Sequence, residues 1–303
     1  MNRFRYAAKR ILGPALTHRI ATWKQAIQRQ AARSTARAAA SDPIPWCSPN
    51  TFSEIVASYR RVPSPYVHEY GAGESTLWHL RELVSAGGTL IAVEHDSEWA
   101  EYVRTAAFEI LQRPPHRTGA ATAGNVATTV VHNGSVADVE YLARAANGAE
   151  VRFALRVRPP ILRSTTGDGT ADEFHEYIHS LDRPADMVII DGRARKACIR
   201  HVLDKELLRP GGAIALFEAG RGVEGWLDAP ALKGTSNYQP EVQRLMTLGA
   251  HMIDGTGYDT WPAQLGRRTF GSLSKHYPLE LCLLQLPEGM GIGATRASRD
   301  RSI

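Results

Sequence analysis

Residues 66–96, YVHEYGAGESTLWHLRELVSAGGTLIAVEHD, constrain the fold more than any other stretch of this chain. An apolar run ends at Glu69 and is followed by Gly71 and Gly73, which let the backbone turn tightly and bring its N–H groups close to a ligand. Ser75 and Thr76 open a helix whose Leu77, Leu80 and Leu83 share one face. A second apolar run, Thr89–Val93, ends in Glu94. Strand, glycine turn, helix, strand and a terminal acid some 20 residues after the turn make a nucleotide-binding βαβ unit. The closing carboxylate lies where a ribose presents two hydroxyls.

The glycine spacing restricts the nucleotide. A dinucleotide fingerprint reads G-x-G-x-x-G, and Thr76 stands where the third glycine belongs. Glu69 instead precedes the first glycine by two, giving E-x-G-x-G-x-S. This form resembles the first motif of the class I S-adenosylmethionine (SAM)-dependent methyltransferases. Two further segments carry the resemblance, in the same order as in that family. DMVIIDGRARKAC, residues 186–198, is an apolar run closed by Asp191 and Gly192. LLRPGGAIALFEAGR, residues 207–221, places Pro210 at an expected helix end and Gly211–Gly212 at the entry to a strand ending in Glu218. The resemblance spans roughly residues 50–287.

The resemblance implies an α/β fold, a Rossmann-like seven-stranded methyltransferase sheet with its last strand antiparallel and helices on both faces. It implies SAM as cofactor, contacted by Glu69, Tyr70, Gly71, Ala72, Gly73, Ser75, Thr76, Glu94, His95, Asn133, Gly134, Asp191 and Gly192. Asp191 is the candidate catalytic residue, acting as a general base towards an acceptor O–H or N–H. Alternatively Asp191 and Glu218, as in metal-dependent O-methyltransferases, hold Mg²⁺ or Mn²⁺ beside the acceptor oxygen. The Asn usual beside the second acid is here Ala219. DGRARKAC and EHDSEW are also similar to segments of the glucuronoxylan O-methyltransferases and their bacterial relatives. That likeness implies a small-molecule or glycan acceptor, with Arg193, Arg195 and Lys196 suited to an acidic one. The relatives often carry His-Asp where this chain has Phe217–Glu218.

Along the body, 51–60 reads as a helix before the first strand and 97–112 as a helix with Trp99, Tyr102 and Val103 towards the sheet. Ala127–His132 is the expected third strand, with Asn133–Gly134 as an adenine-contacting turn. Val151–Val157 reads as an extra strand, either pairing with that one or replacing it. Ala171–Leu181 is an expected helix before the strand Met187–Ile190, and Gln243–Leu248 another. His251–Ile253 and Leu279–Leu286 are the expected sixth and seventh strands. Residues 222–240 read as an irregular loop after a strand end that faces the ligand, and 255–278 as either a substrate-contacting loop or a solvated hairpin. The expected organisation is a basic helical arm over 1–40, a Pro-rich linker over 41–50, the methyltransferase domain over 51–290 and a disordered tail over 291–303.

Charge separates the arm from the body. Of 36 Lys and Arg, nine lie in residues 1–40, which hold no acid, so the remaining 27 face 31 acidic residues. The high isoelectric point therefore belongs to the arm and does not make the whole chain a nucleic-acid binder. A base-methylating signature, [D/N/S]-P-P-[Y/F/W], is replaced by DGRA at residues 191–194. Leu16, Ile20, Trp23 and Ile27 give the arm one apolar stripe with Arg19, Lys24 and Arg29 off it. Such a helix packs on the domain or a partner subunit, docks on an anionic membrane surface, or serves as an organelle-targeting segment. Cys47, Cys198 and Cys282 lack C-x-x-C spacing, which predicts a reducing compartment, a cytoplasmic location and no structural zinc. Besides the enzyme, two other readings are carried: a non-catalytic SAM-binding protein of the same fold, and a nicotinamide-dependent oxidoreductase. Deleting residues 1–40 is expected to leave SAM binding unchanged, because the βαβ unit lies downstream. Flotation on anionic liposomes by the full chain, and not by the deletion, is the outcome for surface docking; no flotation of either leaves packing or dimerisation.

Overall fold

The computed structural model describes residues 47, 49–112, 126–133, 136–144, 148–161, 169–217, 219, 239–254 and 279–293. The residues of the expected arm, 1–40, and of the expected loop 255–278 lie outside them, as do Gly134, Glu218 and 222–238 of the expected loop 222–240, whose last two residues are helical.

Helix α1 (Pro49–Arg60) leads into β1 (Tyr66–Tyr70), α2 (Glu74–Ala86), β2 (Gly88–Glu94) and α3 (Ser97–Gln112). Strands β3 (Val126–Asn133) and β4 (Val136–Arg144) form an antiparallel hairpin before β5 (Glu150–Val157). Then come α4 (His175–Ile178), β6 (Ala185–Ile190), α5 (Arg195–Asp204) and β7 (Leu208–Phe217). The described chain closes with α6 (Gln239–Thr247), β8 (His251–Asp254) and β9 (Leu279–Gln285).

All nine strands join one sheet in the order β3-β4-β5-β2-β1-β6-β7-β9-β8. Strands β5, β2, β1, β6 and β7 are mutually parallel, and β9 runs antiparallel between β7 and β8. Without the hairpin this is the seven-stranded Rossmann-like methyltransferase order with the last strand reversed. The chain grows outward from β1 through β2 to β5 and then returns to lay down β6 and β7 on the other side. The direction of winding thus changes between β1 and β6, which opens a crevice beyond their carboxyl ends.

The central strands are buried on both faces, so they read as unbroken apolar runs. On one face α1–α3 cover Val67, Leu90, Ala92, Met187 and Ile189. On the other, α4–α6 cover Tyr66, Tyr70, Ile91, Val188 and Ile190. The three- and four-residue spacing of Leu77, Leu80 and Leu83 in α2, and of Val103, Ala107, Ile110 and Leu111 in α3, produces this cover.

Several sequence expectations are corrected. The third parallel strand is β5, with Glu94 level with Val157, not the Ala127–His132 run. That run lies in β3, at the sheet edge, two strands beyond β5. Among the described residues the sheet has nine strands, the seven expected and the two of the hairpin. Pro210 does not end a helix: α5 stops at Asp204, Glu206 takes a left-handed φ of 53°, and β7 has begun by Leu208. The helix expected over 171–181 is one turn, His175–Ile178. Cys47 and Ile292 are both buried in the apolar clusters. Among the described residues no helix is long and apolar enough to cross a membrane.

Candidate functional site

Three acids converge on the carboxyl edge of the sheet, from β1, β2 and the end of β6. Glu69 is wholly buried. Its carboxylate accepts hydrogen bonds from Ser75 Oγ at 2.5 Å and Thr76 Oγ1 at 2.6 Å. Thr76 Oγ1 in turn accepts from the Gly73 N–H at 2.8 Å, so acid, first helical turn and glycine loop form one unit. Burial pushes the Glu69 carboxyl up to about 8; the two hydroxyl donors oppose the shift, and Asp191 and Glu94 add to it.

Gly71 and Gly73 differ in what their surroundings require. Gly71 has a φ of +98°, and a Cβ there would lie 2.5 Å from the Gly192 backbone. Gly192 is equally closed, because its Cβ would meet the Tyr177 hydroxyl at 1.9 Å. Glycine at 71 and 192 thus lets the ends of β1 and β6 touch backbone to backbone. Gly73 is extended, with φ −171°, and the nearest atom to its Cβ position is Trp99 Nε1 at 3.7 Å. Nothing in the described protein demands glycine at 73, and the space it leaves borders the crevice.

Glu94 is 3% exposed. Its Oε1 accepts the backbone N–H groups of His95 and Asp96, both at 2.8 Å, and His95 Nδ1 lies 2.6 Å away. Among the described residues no hydrogen bond reaches Oε2. One oxygen therefore fixes the carboxylate and the other remains to accept from a ligand hydroxyl. Glu94 is not the cap of α3: Asp96 Oδ1 takes that role, accepting from the Glu98 and Trp99 N–H groups at 3.0 and 3.1 Å. Glu94→Gln keeps an oxygen for the two backbone donors and presents an N–H₂ where a hydroxyl needs an acceptor. A lost charge-assisted hydrogen bond costs about 1.5–3 kcal/mol. Affinity for S-adenosylhomocysteine (SAH) should fall at least about tenfold with the melting temperature of the free protein little changed. A large loss of stability at normal affinity would show instead that Glu94 serves only to shape the strand end.

Asp191 ends β6 with a 33% exposed side chain, and its N–H donates to Tyr70 O at 2.9 Å. The buried Arg195 guanidinium donates to Asp191 O at 2.9 Å, to Gly192 O at 3.1 Å and to Asp191 Oδ1 at 3.3 Å. Ala194, at a left-handed φ of 50°, turns the chain so that Arg195 reaches back from the first residue of α5. This geometry does not fit a divalent ion at Asp191, because a buried cation already sits on its carboxylate. No group of three metal-ligating side chains occurs among the described residues, and Glu218 lies outside them.

The remaining sequence candidates sort by what they touch. The Tyr70 side chain is buried away from the crevice, its hydroxyl donating to Ile178 O at 2.8 Å, so only its backbone borders the site. Ala72 contributes its carbonyl, which accepts from Trp99 Nε1 at 2.7 Å. The His95 ring packs against Phe174 and Tyr177, with centroids 5.9 and 6.5 Å apart. Asn133 ends the edge strand β3, and Gly134 lies outside the described residues. The place expected for Asn133, beside the end of β2, is held by Val157 and Arg158, whose N–H donates to Glu94 O at 2.7 Å.

Sequence reasoning missed two features of this edge. The Arg158 guanidinium makes a two-point bond to Asp138, with both distances 2.7 Å, and so ties the added hairpin to the end of β5. Trp99 does not simply face the sheet: its indole pins the glycine loop and stacks on Tyr102 at 4.8 Å. Trp99 was legible as a residue one turn into α3 from the Asp96 cap, whereas the Asp138–Arg158 pair carries no local signal.

No protein-family model matches the chain, and no curated protein matches it. Solved structures similar to it include the O-methyltransferase TomG of Streptomyces achromogenes, involved in tomaymycin synthesis and in complex with SAM. The identity is 17% and the TM-score 0.45, over 84% of this chain and 89% of that one. An O-methyltransferase of Bacillus cereus in complex with SAH is 15% identical with a TM-score of 0.46, over 85% and 90%. The SAH-bound methyltransferase PaMTH1 of Podospora anserina is 14% identical with a TM-score of 0.41, over 82% and 81%. Scores at this level add nothing to what the strand order shows by itself. That order is a Rossmann-like methyltransferase sheet, extended at one edge by a hairpin.

Proposed function

We propose that this chain is a SAM-dependent methyltransferase acting on a hydroxyl of a small or carbohydrate-type acceptor. The observation that carries the reading is a Glu94 Oε2 that accepts no hydrogen bond among the described residues, beside a glycine loop whose Gly73 Cβ position meets only ordinary contact with Trp99, at the point where the winding of the sheet reverses. Glu94 accepts from the ribose, since a carboxylate oxygen suits the donor O–H groups of a diol. The glycine loop and Asp191 are the residues that would hold the methionine half. The same edge disfavours a pyrophosphate: Glu74 stands in the first turn of α2, where an anionic ligand needs the uncompensated helix end. A nicotinamide dinucleotide is the poorer fit for that reason, beyond the missing third glycine.

When bound, SAM supplies the electrophilic methyl group. The protein's part is to align an acceptor lone pair with the S–CH₃ bond. Asp191, half-exposed beside the crevice and anchored by Arg195, accepts the acceptor's O–H and orients its oxygen. Arg195 is thereby engaged within the protein. Of the three basic residues that favour an acidic acceptor, Arg193 is the exposed one. A non-catalytic SAM-binding protein is the second reading, favoured by the occupied state of the Asp191 carboxylate. A methyl-transfer screen with labelled SAM over sugars, uronic acids, phenols and small hydroxy acids separates the two. Transfer to one hydroxyl class that survives chelator supports the proposal. SAM binding with no transfer to any class supports the second reading. Activity lost on chelation and restored by Mg²⁺ or Mn²⁺ would return Asp191 to the metal role.

A further inference from the structure

Glu69 is wholly enclosed, and among the described residues its hydrogen-bond partners are two hydroxyl groups. Each element packed around it adds an acid or a neutral group. From β2 and the end of β6 come Glu94 and Asp191, both felt at Glu69. From α1 comes Tyr59, whose hydroxyl is bonded to the His79 ring of α2 at 3.1 Å. Burial holds that phenol far above its ordinary value and His79 down to about 3, so both are neutral. From α3, Trp99 brings an indole. Arg195, a described cation on this edge, is bonded to Asp191, and no cation is among the groups felt at Glu69. A buried ionised carboxylate without a cation is strongly disfavoured, and a neutral acid is the form such surroundings permit.

We propose that Glu69 is the charge-sensing residue of this site, neutral while the site is empty and ionised when a cationic methyl donor enters, so that binding releases a proton to solvent. The inference rests on the SAM-binding reading above. Glu69 does not touch the ligand; it is a positioning residue behind the glycine loop, holding Ser75 and Thr76 and through Thr76 the Gly73 N–H. A cation at about 5 Å in an effective dielectric of about 20 lowers a neighbouring carboxyl's pKa by about two. That carries Glu69 from about 8 to below neutral pH. The cation supplied by the donor is thus the counter-charge that the protein itself lacks.

The sign follows from linkage. The empty site binds one more proton than the filled site between the two values, so affinity for the donor rises with pH through neutrality and levels off above about 8. The test is calorimetric titration of SAM into the full chain at pH 7, in buffers of different ionisation enthalpy. SAM carries its own titrating ammonium, so Glu69→Gln, the neutral isostere of the protonated acid, is titrated alongside. The expected result is that the wild type releases most of one proton more than the variant at pH 7, and that this difference shrinks towards pH 5 and pH 9. The variant should bind SAM at least tenfold more weakly than the wild type at pH 8. SAM binding with no proton release by the wild type beyond the ligand's own would overturn the inference, whatever the stability of the variant. No SAM binding by the wild type would overturn the functional reading beneath it.

Discussion

Gly73→Val should abolish SAH binding, with an affinity loss above a hundredfold, while the protein keeps its fold and melting temperature. Position 73 is extended, a conformation open to any residue, and the protein's own nearest atom lies at ordinary contact distance. A valine there fills the space beside the crevice without disturbing the core. Gly71 makes the contrast. Its left-handed φ and the 2.5 Å approach of Gly192 mean that even alanine strains the backbone and drives β1 and β6 apart. Gly71→Ala should therefore lower stability by several kcal/mol, in the upper part of the range for single substitutions. Loss of binding in that variant says nothing about ligand volume. Thermal melts with SAH titrations on both variants check the distinction. A stable Gly73→Val protein that binds SAH normally would show that the loop does not border the ligand.

Asp191→Asn should cut turnover by about a hundredfold or more, the scale of losing a general base or its equivalent. SAH affinity should hardly change, because the Asp191 charge is locally balanced by Arg195. The amide keeps an oxygen for the guanidinium and is no longer a base towards an acceptor hydroxyl. Arg195 makes the complementary case. Removing it leaves the Asp191 and Gly192 carbonyls without their donor and frees the carboxylate, so Arg195→Met should disturb both the loop and the turnover. Steady-state rates with an identified acceptor, beside SAH titrations, separate chemistry from binding. Near-normal turnover in Asp191→Asn would remove the residue from the reaction.

The βαβ unit was legible because its signals are local. Glycine at a left-handed turn, an acid at a strand end and leucines at helical spacing each act within a few residues. The bounds of α3 came out as expected for the same reason, with Asp96 capping one end. The third strand was legible as a strand over Val151–Val157, but its place in the sheet was not. VRFALRV alternates with arginines, which marks a half-exposed strand, yet it lies between β2 and β4, where Arg152 meets Glu140 and Arg156 meets Ser180 O. Ala127–His132 has the more strand-like composition and lies at the edge. Composition fixes strand existence far better than position in a sheet, since pairing is set across many residues. The Asp191–Arg195 contact was hidden too. Its four-residue spacing has helical meaning only inside a helix, and here α5 begins at Arg195 after a left-handed Ala194. Pro210 was misread because a proline after a helical run usually ends it, whereas here it lies inside β7, close to where the pairing with β6 shifts register.

The central claim is that the carboxyl edge around Glu94 and Gly73 is a SAM site. Calorimetric titration of the full chain with SAH and, separately, with NAD tests it most directly. The account predicts saturable SAH binding at one site per chain, weakened at least tenfold by Glu94→Gln, and no NAD binding at comparable concentrations. NAD binding without SAH binding, or SAH binding indifferent to Glu94→Gln, would contradict it.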